Sequence, residues 1–367
     1  MAQPNSKKTA TKKFTPVGII FSILGLLLFI YFVRKAGVTE IVEGIKRLGA
    51  GFLLVLLISA VRPMLRSKAW TLCFDGAHRL RFRDALRAYF IGDAVGNLVP
   101  LGIFISEPTK AALVREKVPL VASFSALAVE NIFYSLSVML FIFSGTAALI
   151  LSFPLPKPLR VASIGALVGI LVFIPLGYFV IRKQWKFLSG AMEFLYGRGL
   201  GRRFLETRRE KVRSLEERIY GFYTRNPASF IPVLLLEACF HLSGVLEVYV
   251  TLFFISDTAP SLLTAFVLES VNRVINVVFK FVPMRVGVDE AGTGMLTKVL
   301  KFGTASGVTL AIVRKARNLF WMAVGVSLLA HRGLTLRAVT AQAEEAAAVE
   351  VSRSAEGSAA LSASEPR

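Results

Sequence analysis

Long uncharged runs of Leu, Ile, Val, Phe and Ala recur along the chain, separated by short basic or proline-containing stretches. A helix needs about 20 consecutive apolar residues to cross a bilayer. Runs at 16–33, 51–70, 119–151, 161–181, 228–255 and 304–330 meet that length and read as six crossings. Two other segments, 84–117 and 261–301, follow a different pattern. Each starts as an apolar helix, breaks at a proline and glycine cluster, and resumes as a shorter, more polar helix. The pattern predicts an all-α, polytopic membrane bundle of about six crossings plus two re-entrant helical hairpins.

Charge orients the bundle. Twelve Lys and Arg lie between residues 182 and 225, six between 66 and 87, and four in the first 13. Basic loops are retained in the cytoplasm, which puts both termini inside a bacterial inner (plasma) membrane. Two crossings separate the two large basic clusters, so 84–117 must enter and leave on the inside. By the same count 261–301 enters and leaves on the outside, and the loop at 34–50, with four basic residues, falls outside. The first run has no small-residue cleavage site and reads as an uncleaved anchor. The domain reading is a basic tail (1–14), a transmembrane domain (15–331) and a disordered cytoplasmic tail (332–367). Within the domain, repeat one covers about 84–181 and repeat two about 228–331, with a cytoplasmic segment at 182–227 between them. In that segment Leu205, Val212, Leu215, Ile219 and Phe222 share one helical face, the pattern of a helix lying along a leaflet.

Composition agrees and narrows the function. The 367 residues are 54% hydrophobic and 19% charged, against about 25% charged in soluble domains. A net charge of +20 suggests nucleic acid at first, but the basic residues flank apolar runs and carry no nucleic-acid motif. An anionic membrane surface fits better. Two cysteines and three dispersed histidines predict no disulfide framework and no metal site. Walker, zinc-protease and nucleophile-elbow motifs are absent, so neither an enzyme nor a cofactor is expected.

The two broken segments resemble each other. NLVPLGIFISEPTKAALV from Asn97 aligns with KFVPMRVGVDEAGTGMLT from Lys280, matching Pro100 with Pro283 and Glu107 with Glu290. The following run carries a buried charge in each copy, Glu130 and Arg314. Copies entering from opposite faces form an inverted repeat, the arrangement of many transporters. Broken backbone at membrane depth must be buried in protein or line a wet cavity, and a half-helix N-terminus there favours anionic groups. The second half-helices are read as beginning near Ser106-Glu107-Pro108 and Asp289-Glu290, with Ser106 as a cap.

An ionisable residue at the centre of a span costs about 2.5–3.5 kcal/mol and needs a partner. Glu130 and Arg314 are expected to meet each other near the axis between the copies. Glu269 and Arg273 have i,i+4 spacing and read as a structural pair. Glu237 and His241 stand one turn apart, as do Asp93 and Asn97, and Arg317 and Asn318 lie just beyond Arg314. Lys110, Arg115 and Lys117 are expected to meet inner-leaflet phosphates. The candidate headgroup groove is therefore Asn97, Pro100, Glu107, Glu130, Pro283, Glu290 and Arg314. Asp93, Lys110, Glu269, Arg273, Asp289 and Arg317 are secondary candidates.

The segments at Asn97, Pro100 and Glu107 and at Pro283, Gly287 and Glu290, with Glu130 and Arg314, resemble the transmembrane region of lysylphosphatidylglycerol synthases. That family includes stand-alone flippase-like proteins, some associated with hopanoid biosynthesis, and the resemblance spans roughly 15–331. Family members usually continue the first copy as Glu-Arg with an acid a few residues on; here Asn131 follows Glu130 and Tyr134 stands at the acid position. The resemblance implies a lipid flippase or transporter that moves a polar-headgroup or anionic lipid between leaflets, without the aminoacyl-transferase domain. The alternative is a non-transporting subunit that scaffolds a lipid-modifying, glycosyltransferase or hopanoid-biosynthesis enzyme.

Overall fold

The structure, a computed structural model, describes residues 37–74, 78–98, 103–182, 226–279 and 285–331, with a few isolated positions besides. Pro100, Pro283, most of the run at 16–33, nearly all of the basic segment after Arg182 and the tail beyond His331 lie outside the described residues. The described residues form helices and no strand.

Ten helices have described bounds: α1 Val38–Leu48, α2 Gly51–Leu72, α3 Phe82–Leu98, α4 Ile103–Leu113, α5 Leu120–Ser152, α6 Lys157–Arg182, α7 Pro227–Ile255, α8 Leu262–Val278, α9 Val288–Val299 and α10 Gly303–His331. Among them α5 and α7 are long and apolar enough to cross a membrane alone, and α1 and α2 qualify as a pair bent by 76°. The stretch at 34–50, read as a loop, holds α1; it meets α2 at Gly49, whose φ of +41° suits a residue without a side chain. Pro119 precedes α5 and Pro227 opens α7, positions where a missing N–H costs nothing. Ser261 caps α8 by accepting the Thr264 N–H at 3.0 Å.

Helix α3 and helix α8 each have 17 residues, and their returning arms α4 and α9 have 11 and 12. At 1.5 Å per residue the returning arms are about 16–18 Å long, short of a hydrocarbon core of about 30 Å. The packing has an internal exchange symmetry. If α2, α3, α4 and α5 are swapped for α7, α8, α9 and α10, every substantial helix pairing among these eight maps onto another that is also present. Thus α3 lies on α10 while α8 lies on α5, α2 meets α3 while α7 meets α8, and α2 and α7 pack on each other.

Small residues permit the close crossings. A Cβ on Gly145 of α5 would meet Ser270 of α8, and one on Gly325 of α10 would meet Phe90 and Ala94 of α3. The two swapped contacts are therefore built in the same way.

One departure concerns the first hairpin. Helix α4 begins at Ile103, so Ser106, Glu107 and Pro108 lie inside it rather than at its N-terminus. The apolar Ile103 and Phe104 carry the helix one turn further back than a Ser-Glu-Pro start, and Pro108 forfeits one backbone bond within it. In the second copy the expected start holds: α9 opens at Val288 with Asp289 and Glu290 in its first turn.

Candidate functional site

Charged side chains form a seam where the two sets of helices meet. Its basis is Arg62 and Arg66, one turn apart on α2. The Arg66 guanidinium binds both Glu130 oxygens, one through Nε and one through Nη2 at 2.7 Å, and also donates to Asn131 Oδ1 at 3.3 Å. Its face lies 3.8 Å from the centre of the Tyr134 ring. Arg62 turns the other way, donating to Glu269 of α8 at 2.6 Å and lying 3.4 Å from Glu247 of α7.

Glu269 gathers the second copy's cations. Arg273 binds it at 2.6 Å, Arg314 at 3.3 Å, and the Asn272 amide donates at 3.1 Å. Its i,i+4 pairing with Arg273 is the one the helical spacing predicts. Glu247 takes Arg317 as well as Arg62. Gly244 makes this crossing possible: a Cβ there would overlap Arg62 Nη2 and stand 2.6 Å from Glu269 Oε1.

Glu130 and Arg314 do not meet. Each has found a partner elsewhere, Arg66 on α2 and Glu269 on α8. The exchange of α3 and α8 between the two sets explains this, since α10 packs on α3 and α5 on α8 rather than α5 on α10.

The equivalent glutamates of the hairpins are both paired but differently. Glu290 is fully buried, accepts the Gly287 N–H at 2.8 Å and binds Lys315 at 2.6 Å. Lys315 also lies 3.5 Å from Asp289, which faces Arg285 at 3.6 Å. Glu107 is less enclosed and binds Lys110 at 2.9 Å, with Asp93 on the same ammonium at 3.0 Å. Lys110 is thus enclosed by protein and is not free for inner-leaflet phosphates; it lies over the Tyr89 ring at 4.1 Å. Gly92 lets the lysine stem cross α3, because a Cβ there would overlap Lys110 Cγ. Lys117 binds Asp84 at 2.6 Å.

A cavity of about 220 Å³ opens on this seam among α2, α3, α7 and α10. Arg62, Asp93, Asn97, Arg317 and Asn318 supply polar groups to its wall. Phe90 and Trp321 supply stacked rings 5.4 Å apart, and the Trp321 indole donates to Ser59 at 2.8 Å. The structure therefore brings Asp93, Asn97 and Arg317 to one cavity. It places Glu130, Glu269, Arg273, Arg314, Asp289 and Glu290 in the charged seam. Arg62, Lys315, Ser59 and Trp321 escape the sequence reading. A signal for Arg62 exists, since it stands one turn before Arg66 inside an apolar run.

An all-helical bundle with apolar spans, a buried charged seam and two helix-break-helix elements is the construction of an integral membrane protein. The family described as "Lysylphosphatidylglycerol synthase TM region" matches residues 17–326, and the chain belongs to it. That membership makes it a membrane protein of lipid metabolism. No curated protein and no solved structure matches the chain significantly.

Proposed function

We propose that this protein moves a polar-headgroup lipid between leaflets, the headgroup passing along the charged seam while the tails stay in lipid. The observation that carries this reading is the cavity whose wall joins Arg62 and Arg317 to Asp93 and Asn97. Cations of that kind suit a phosphate, and the acid and amide suit a hydroxyl or an amine. At about 220 Å³ the space matches a headgroup, being below the roughly 300–1,000 Å³ of sites that enclose a drug-sized ligand.

Topology supports the same reading. The hairpins α3–α4 and α8–α9 act as re-entrant elements, and α2, α5 and α6 cross between the start of one unit and the start of the next. An odd number of crossings turns the second unit over, so the hairpins enter from opposite faces, inside for the first and outside for the second. Such an inverted pair flanking a polar site is the framework of alternating access.

The test uses headgroup-labelled lipids in proteoliposomes with an impermeant outer-leaflet quencher. Purified, folded protein is expected to speed the movement of at least one anionic or zwitterionic phospholipid tenfold over empty vesicles. If no candidate lipid moves faster than in protein-free vesicles, the reading fails.

A further inference from the structure

Glu237 of α7 is fully buried, and neither of its carboxylate oxygens has a hydrogen-bond partner among the described residues. Among the described residues its closest cation is Arg66, with Nε 4.0 Å away. Arg66 is already engaged, its Nε and Nη2 with Glu130 and its Nη2 also with Asn131. Two carboxylates therefore compete for one guanidinium that satisfies only one of them.

The other groups around Glu237 do not resolve the excess. Arg66 faces it from α2 and the Cys73 thiol from just past the end of that helix, Glu130 lies across from it on α5, and Arg273 faces it from α8. Arg273 is bound to Glu269. On α7 itself His241 stands one turn on, its Nε2 3.1 Å from the Ser137 hydroxyl. Helix α10 directs Arg317 at Glu247, further along α7, and α1 directs Arg47 at Asp257, beyond its end. Among the described residues, Asp93, Glu107, Glu130 and Glu237 have only Arg66 and Lys110 as cations within 4.0 Å.

An ionised carboxylate buried without its own partner is far costlier than the same group carrying a proton. Two carboxylates sharing one site titrate as a pair, with one proton between them. A metal ion is a poorer occupant: a hard cation wants six or more oxygens, and the turns on either side of Glu237 supply Val233, Leu236, Phe240 and the His241 imidazole, none of them an oxygen ligand.

We propose that Glu237 is a proton-binding site, coupled to Glu130 through Arg66, and that this proton is the coupling ion for the lipid movement proposed above, on which the coupling rests. On loading, a proton from water bonds to a Glu237 oxygen and Glu130 keeps Arg66. On release the proton returns to water, and the new carboxylate draws Arg66 away from Glu130. Arg62, one turn along α2, moves with it and loosens its ion pair with Glu269, so the proton state of one half reaches the other.

Two readouts test this. Difference infrared spectroscopy of folded protein in sodium-free nanodiscs at neutral pH is expected to show the carbonyl band of a protonated carboxylic acid. Glu237→Gln removes the band by removing the acid. Glu130→Gln removes it as well, because Glu237 then ionises against Arg66, whereas Glu107→Gln leaves it in place. Absence of the band, its survival in Glu237→Gln, or its loss when sodium is added overturns the proton site. In proteoliposomes an imposed pH gradient is expected to accelerate wild-type lipid movement tenfold and to leave Glu237→Gln unaffected. Wild-type movement indifferent to the gradient overturns the coupling. A normal band with no lipid movement under any gradient overturns the transport reading and leaves the proton site standing.

Discussion

Arg62 and Arg66 stand one turn apart on α2 yet serve opposite halves of the protein: Arg66 holds Glu130 of α5, and Arg62 holds Glu269 of α8. One helix thus carries the charge contacts of both units, and a rotation or shift of α2 disturbs both together. Helix α2 touches α3 and, through Arg62, α8, while its packing mate α7 touches α8, so this pair joins the two hairpins.

Removing Arg66 orphans Glu130 in a buried site, so Arg66→Met is expected to destabilise the folded protein by about 3–5 kcal/mol. Adding Glu130→Gln removes the orphaned charge and is expected to recover more than half of that loss. Thermal unfolding of the purified variants in detergent checks both. A double variant no more stable than the single one contradicts the pairing.

Gly244 gives the most local prediction. Gly244→Ala forces a methyl group into Arg62 and Glu269 and is expected to cost about 1–3 kcal/mol despite alanine's better helix propensity. Gly165→Ala in α6, where a Cβ meets nothing within 4 Å, is expected to be neutral or slightly stabilising. Equal effects of the two substitutions in the same unfolding assay would remove the steric argument.

Much of this was legible in the sequence, and the boundary between legible and hidden is physical. Spans at 119–151, 228–255 and 304–330 differ from α5, α7 and α10 by no more than one residue at either end, because uninterrupted apolar length is a local signal. Glu269 with Arg273 was equally legible, since i,i+4 spacing fixes their neighbourhood on any helix. That Glu130 and Arg314 needed partners was also readable. Which partners was not, because Arg66 lies 64 residues from Glu130 and Glu269 lies 45 from Arg314. Lys110 was misplaced for the same reason: viewed alone, α4 is a short basic arm, and only its packing on α3 encloses the lysine between Asp93 and Glu107.

The two hairpin glutamates are expected to differ in weight. Glu290→Ala strips Lys315 of its closest partner and the Gly287 N–H of its acceptor, for about 3–5 kcal/mol. Glu107→Ala leaves Lys110 its contact with Asp93 at 3.0 Å and is expected to cost at least about 1 kcal/mol less. Chemical denaturation of both variants, compared under one condition, checks the order; the reverse order contradicts it.

At the cavity, Asn97 is exposed and, among the described residues, its amide donates only to the Asp93 carbonyl on its own helix, at 2.8 Å. Asn97→Trp is therefore expected to change stability by no more than about 0.5 kcal/mol while lowering lipid movement at least tenfold by filling the cavity wall. Unchanged movement in the quencher assay places the headgroup route elsewhere.

The proposed lipid route requires two hairpins inserted from opposite faces, and site-directed accessibility measures that directly. Single cysteines at Arg81, Glu116, Ala259 and Lys298, all exposed positions, lie at the outer ends of the two hairpins, Lys298 in the last turn of α9; Cys73 and Cys239 are first replaced by alanine. An impermeant maleimide applied to sealed vesicles of each orientation is expected to label positions 81 and 116 only from the inside and positions 259 and 298 only from the outside. Labelling of 81 and 116 from opposite sides, or of all four from one side, contradicts the inverted arrangement and the route built on it.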